Sequence, residues 1–225
     1  MKSIAGCLAL AWLGGVTLVV TPVQAQETQT PVSAANPSLA IVPNRSVAEI
    51  DDDLELVAEL GRTFEQRRLA ANLDVTRSEQ AVGRTEQQLD AVKQQLKQAK
   101  QAGRDAEKVA FEAEEETLES LKDYYERERD LRKAEIRLAD ARVAAAAATR
   151  TALDLERQLS QQRSQVAPGG MESVRHGQVI SQLERTTLEA QKERSELDRR
   201  AGDREKTVID QRLKLFKARA ELSGR

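Results

Sequence analysis

The side chains that most often carry catalysis are scarce in this chain, which has one histidine, His176, and one cysteine, Cys7, in 225 residues. His176 could act as a general base, but it stands beside Gly177 near an expected helix start. No Ser, Cys or metal-ligand partner lies at a useful spacing from it. It reads as a polar surface residue. Cys7 falls within an N-terminal leader, so a processed chain would have no disulfide, thiol nucleophile or cysteine metal site. The acidic cluster Glu112, Glu114, Glu115, Glu116 and Glu119 could attract a divalent cation or a basic partner. Consecutive carboxylates on a helix splay around its axis, however, and no EF-hand spacing is present, so the cluster reads as a solvated face. Phosphate-binding loops, nucleophile elbows and paired catalytic carboxylates are also missing from the sequence. The chain is expected to be non-enzymatic, with no metal, cofactor or small-molecule substrate.

One group of side chains suggests recognition rather than reaction. Phe111, Leu118, Leu121, Tyr124, Tyr125, Leu213 and Phe216 are large apolar or aromatic residues in an otherwise polar sequence. They form a candidate protein-interaction or packing patch, with packing between helices favoured at their spacings.

The elements that must position these residues follow from composition and rhythm. Aromatics are 3% and charged residues 32%, too few bulky groups for a deep compact core. The Ala, Leu, Glu, Gln, Lys and Arg that dominate favour long helices. From Ile50 to Val166 two interleaved series run at seven-residue spacing. One passes through Leu54, Val75, Val82, Leu89, Leu96, Leu131, Leu138 and Leu159. The other passes through Ile50, Val57, Phe64, Val92, Ala99, Ala134, Ala148 and Leu155. Only Arg68, Arg127 and Gln162 interrupt rows that are otherwise apolar or small, the pattern of a coiled-coil seam.

Read in order, residues 1–25 form an expected signal peptide. Lys2 gives the positive start, Ile4 to Val20 the apolar run, and Val23-Gln24-Ala25 the cleavage site. The protein is therefore expected in the periplasm or outside the cell, touching a membrane only if the leader is retained. Residues 26–45, with Pro31, Pro37 and Pro43, read as a disordered tether. Ser46 and Glu49 fit a capping box that starts a helix. Residues 46–166 read as one long coiled-coil helix, 167–170 (Ala-Pro-Gly-Gly) as a turn, and 171–225 as a returning helix.

The fold class is all-α, a long antiparallel coiled coil. The form preferred is a hairpin with its turn at 167–170, because the rhythm continues unbroken through Gly103 and a turn would reset it. The alternative is a three-helix up-down-up bundle with a second turn near Gly103. A fold-back at 167–170 predicts that facing residue numbers add up to about 337. That register sets Leu118, Leu121 and Tyr125 opposite Ile209, Leu213 and Phe216.

Charge is nearly balanced, with 35 basic and 37 acidic residues, so no basic stripe for nucleic acid is expected. Protein partners through the helices, including a homo-oligomer, are expected instead. The Ala-, Leu- and Arg-rich texture of Asp130 to Gln158 is similar to the helical hairpins of periplasmic efflux adaptors. Those adaptors carry β-rich domains beside the hairpin, which neither flank here could form, so the family is not assigned. The leading expectation is a spacer, scaffold or assembly module of the bacterial envelope. A hairpin component of an export assembly and a holdase chaperone are the alternatives.

Overall fold

The structure, a computed structural model, describes residues 42–165 and 171–224. The expected leader, most of the expected tether and the turn at 167–170 lie outside the described residues. Three long helices account for nearly everything described: α1 (Val47–Ala102), α2 (Asp105–Gln165) and α3 (Met171–Ser223). The all-α expectation holds, and among the described residues there is no strand.

Helix α1 starts where the sequence says it must. The Ser46 hydroxyl accepts from the Glu49 amide at 3.3 Å, and Glu49 Oε2 accepts from the Ser46 amide at 2.9 Å. Both halves of the capping box are thus made, satisfying two backbone donors that the first turn leaves without helical partners. The same hydroxyl holds the Glu49 carboxyl below the usual glutamate range, and the hydrogen bond from the Ser46 amide adds to it.

The expected single helix 46–166 is not what forms. Gly103 ends α1 with φ 66° and ψ 29°, its amide bonding back to the Ala99 carbonyl, and α2 begins two residues later. That left-handed conformation suits a residue with no Cβ. Of the two forms weighed from sequence, the up-down-up arrangement with a turn at Gly103 is therefore correct.

The reason the rhythm did not betray this turn lies in how α2 packs. On α1, every buried residue belongs to the two seven-residue series: Ile50, Ala71, Ser78, Val82, Thr85, Leu89, Val92, Leu96 and Ala99. Helix α2 does not answer α1 with the same series. Its contacts to α1 come from a second row: Glu115 to Lys93, Lys122 to Glu86, Arg132 to Asp74, Ala146 to Gly61, Arg157 to Asp51 and Ser160 to the Arg45 carbonyl. Phe111, Leu118, Tyr125, Ile136, Ala139 and Leu153 share that seven-residue spacing. The phase does reset at Gly103. The original series simply continues along α2 because α3 uses it.

Leu131, Ala134 and Leu138 of that series pack with Val208 and Leu215 of α3. Among the described residues of α3 four are buried, Thr187, Ala201, Val208 and Ala218; the first three are spaced by multiples of seven and Ala218 lies three residues beyond Leu215 of the same row, the spacing of a seam. Helix α2 is thus the central member, with α1 along one row and α3 along the other. Its 61 residues set a rod about 90 Å long.

The register of α3 corrects another expectation. Arg163 with Glu184, Arg142 with Glu205 and Arg212 with Glu135 each add up to 347, ten more than a minimal fold-back gives. Register is set by which side chains of the two rows meet, not by the shortest connection. The first turns of α3 consequently run past the end of α2, where Val174 and Val179 are exposed. At its other end α3 stops level with Tyr124. The hairpin of α1 and α2 continues alone for about 20 residues per arm, on the order of 30 Å.

The last four residues of the expected tether are also tied to the helices at Val42 and Arg45, while Pro43 and Asn44 are exposed. Val42 is fully buried, Arg163 donates to its carbonyl at 3.2 Å, and the Ser160 hydroxyl donates to the Arg45 carbonyl at 2.9 Å. Arg163 also pairs with Glu184, so one guanidinium joins this strap, α2 and α3.

Candidate functional site

The seven residues expected to form a patch divide into two groups. Phe111, Leu118, Leu121, Tyr124 and Tyr125 lie half-buried on α2, in its first half. The Tyr124 and Tyr125 rings meet edge to face, centroids 5.4 Å apart at 67°. Phe111, Leu118 and Tyr125 are on the row facing α1, whereas Tyr124 is on the row facing α3, at the level where α3 ends. Phe111, Leu118 and Tyr125 are thus placed to pack the hairpin of α1 and α2.

Leu213 and Phe216 are not brought to them. They are 54% and 69% exposed, level with Ala134 and Leu131, and on the outward face of α3. The opposition expected between Leu118, Leu121 and Tyr125 and Ile209, Leu213 and Phe216 does not exist. A ten-residue change of register carries α3 too far along α2, and the outer side chains turn away from it. Ile209, Leu213 and Phe216 instead form an exposed apolar row at four- and three-residue spacing, with Ile209 59% exposed.

The acidic cluster is engaged with α1. Lys93 Nζ lies 3.6 Å from both Glu115 and Glu119, and Lys100 Nζ lies 3.3 Å from Glu112. Glu115 and Glu119 thus share one lysine and Glu112 takes another, along the hairpin. Among the described residues no group of three or more His, Cys, Asp or Glu converges as metal ligands would. Further along, Lys122 is raised above its usual range chiefly by a hydrogen bond to Glu86. At Arg132, desolvation alone would lower the pKa, but hydrogen bonding to Glu135 and the charges of Glu135 and Asp74 outweigh it and raise it. These exposed or half-exposed pairs are screened by solvent and individually weak, but they run in one register and so select it. His176 is half-buried in the second turn of α3.

Besides exposed leucines of α1 such as Leu69 and Leu73, two surfaces among the described residues lie open on α2 and α3. The first is the outward row of α3. The second is the α3-facing row of α2 beyond the end of α3, where Ala106, Ala110, Ala113 and Thr117 are exposed. A shallow third feature of about 340 Å³ runs between α1 and α3, with Leu56, Leu60 and Phe64 on one side and Ala145, Ala146 and Leu153 on α2. The sequence reading groups Leu213 and Phe216 with the α2 residues, whereas they lie exposed on α3. The signal was available: α3 carries an apolar row besides the one it needs for α2.

No family model matches the chain, and no curated protein or solved structure matches it either. No helix among the described residues is long and apolar enough to cross a membrane.

Proposed function

We propose that this chain is a non-enzymatic coiled-coil spacer or assembly module of the bacterial envelope, exported by the leader at residues 1–25. The observation that carries the reading is the occupation of both long rows of α2 by other helices. A helix packed on two sides along most of its length holds a straight, stiff rod, about 90 Å long. The clefts between such helices are shallow: one beside α2 is lined mostly by Arg and Asp, and the other by Leu56, Leu60 and Phe64 together with Arg and Asp.

A second reading has one observation in its favour. The hairpin of α1 and α2 runs on past the end of α3, a geometry suited to a hairpin component of an export assembly. Photo-crosslinking probes in living cells separate the readings. They are placed at Gln101 near the hairpin end, at Gln178 on the opposite overhang and at Arg199 on the exposed middle of α3. A spacer gives adducts at the ends, little at Arg199, and fractionates with the envelope. Adducts from Gln101 to an export component would favour the second reading. Adducts along the whole rod, as a client-holding chaperone would give, or recovery in the cytosol, would contradict both.

A further inference from the structure

We propose that the outward row of α3 docks on the uncovered row of α2 in a second copy of the chain, reciprocally, giving a closed two-fold dimer. The inference stands on packing and charge, independently of the spacer role.

The receiving surface continues an interface the chain already has. Ala106, Ala110 and Ala113 belong to the same row of α2 that α3 covers further along, at Leu131 and Leu138. They are exposed because α3 ends level with Tyr124. What this row accepts elsewhere is a helix running alongside, and its small side chains let another helix axis come close.

The donor matches it in spacing, size and charge. Ile209, Leu213 and Phe216 step by four and then three residues, and so do Ala106, Ala110 and Ala113. Large side chains on one row meet small ones on the other. The segment Arg204–Arg219 has six basic residues against two acidic, while Asp105–Glu119 has seven acidic against one basic. Some of these charges are already met, by lysines of α1, by Arg104 on Glu107, by Glu135 on Arg212 and by Asp203 on Lys206, but Glu114 stands exposed beside the receiving row. Complementary flanks of this kind steer association and fix register.

The fit along the axis is also good. Setting Ile209, Leu213 and Phe216 of the second copy over Ala106, Ala110 and Ala113 brings its residue 223 level with Ser120. The chain's own α3 stops level with Tyr124, so the two helix ends meet without overlapping. With the copies antiparallel about an axis near that level, each donates and each receives, and the assembly closes at two.

Sedimentation equilibrium of the full chain is the test. The wild type is expected to be a dimer and to go no further. The donor variant Leu213→Glu/Phe216→Glu and the acceptor variant Ala110→Arg/Ala113→Arg should each weaken it about thirtyfold or more. Both alter only exposed positions, so helicity by circular dichroism should be unchanged. An equimolar mixture of the two variants keeps one intact contact and should regain dimer. Salt near 1 M, with a screening length of about 3 Å, should weaken the wild-type dimer. A monomeric wild type at the highest soluble concentration would overturn the proposal. So would an acceptor variant that dimerises as well as the wild type, a mixture that stays monomeric, or growth into species larger than two.

Discussion

Leu131 and Phe216 lie at the same level of the rod, one facing in and the other out, so truncating each tests which faces of α2 and α3 meet. Leu131 is 5% exposed and packs with Ala134, Leu138, Val208 and Leu215. Replacing a buried leucine with alanine costs about 2–5 kcal/mol, depending on how far the surroundings collapse. Its neighbours include an alanine and the site sits between two helices only, so partial collapse is easy and about 3 kcal/mol is expected. For helices of 56, 61 and 53 residues, that corresponds to a fall in Tm of roughly 6–12 °C. Phe216 is 69% exposed, and Phe216→Ala should change stability by less than about 0.5 kcal/mol. Thermal unfolding followed by circular dichroism gives both numbers. It should be done at a concentration where the chain is monomeric, so that self-association does not contribute. Under the alternative register, with facing numbers adding to 337, Phe216 would cover Leu121 and be costly to truncate. Equal losses for the two variants would refute the packing described.

Other perturbations follow from single features. Gly103→Ala should destabilise by about 1–2 kcal/mol, because φ 66° is strained for any residue with a Cβ, although nothing stands within 4 Å of it. Gly83→Ala, in the middle of α1 with open space around it, should instead stabilise by up to about 1 kcal/mol; chemical denaturation distinguishes the two signs. Ser46→Ala should cost about 1 kcal/mol and increase amide exchange in the first turn of α1. Because the folded pKa of Glu49 is lowered, its contribution is present above the ordinary glutamate range and disappears as pH falls through the lowered value. Amides at the start of α1 should therefore fray at acid pH, and Ser46→Ala should weaken that dependence, leaving the part that comes from the Ser46 amide. Val42→Ala should cost about 1–2 kcal/mol, since the side chain is fully buried at the meeting of the strap, α2 and α3.

Much of the packing was legible from residue types and spacing, and the misses have a common physical origin. The capping box at Ser46 and the buried face of α1 follow directly from local rules, because α1 meets one neighbour along a single row. Helix α2 meets two neighbours, so one uninterrupted series can serve α3 while Phe111, Leu118 and Tyr125 serve α1. A rhythm that passes through Gly103 marks continuity of the apolar series, which α1 presents to α2 and α2 presents to α3, and not continuity of the helix. The register of α3 could not be read from the Ala-Pro-Gly-Gly stretch, because pairings such as Arg142 with Glu205 decide it and they are long-range. Val42 was hidden because four residues have no periodicity of their own. Its burial depends on Arg163 and Ser160, which lie more than a hundred residues away.

The central claim is that the chain reverses at Gly103 and lays α1 along α2. Spin labels at Arg62 and Ala147, both exposed, test it by pulsed dipolar spectroscopy, with labelled chains diluted in unlabelled protein so that only intramolecular pairs count. A β-carbon placed on Gly61 would lie 4.0 Å from the Ala146 β-carbon in the folded hairpin, so with label arms the distance should be about 20–25 Å. A straight helix through Gly103 would set the same two positions about 130 Å apart, and the absence of any short distance would contradict the account.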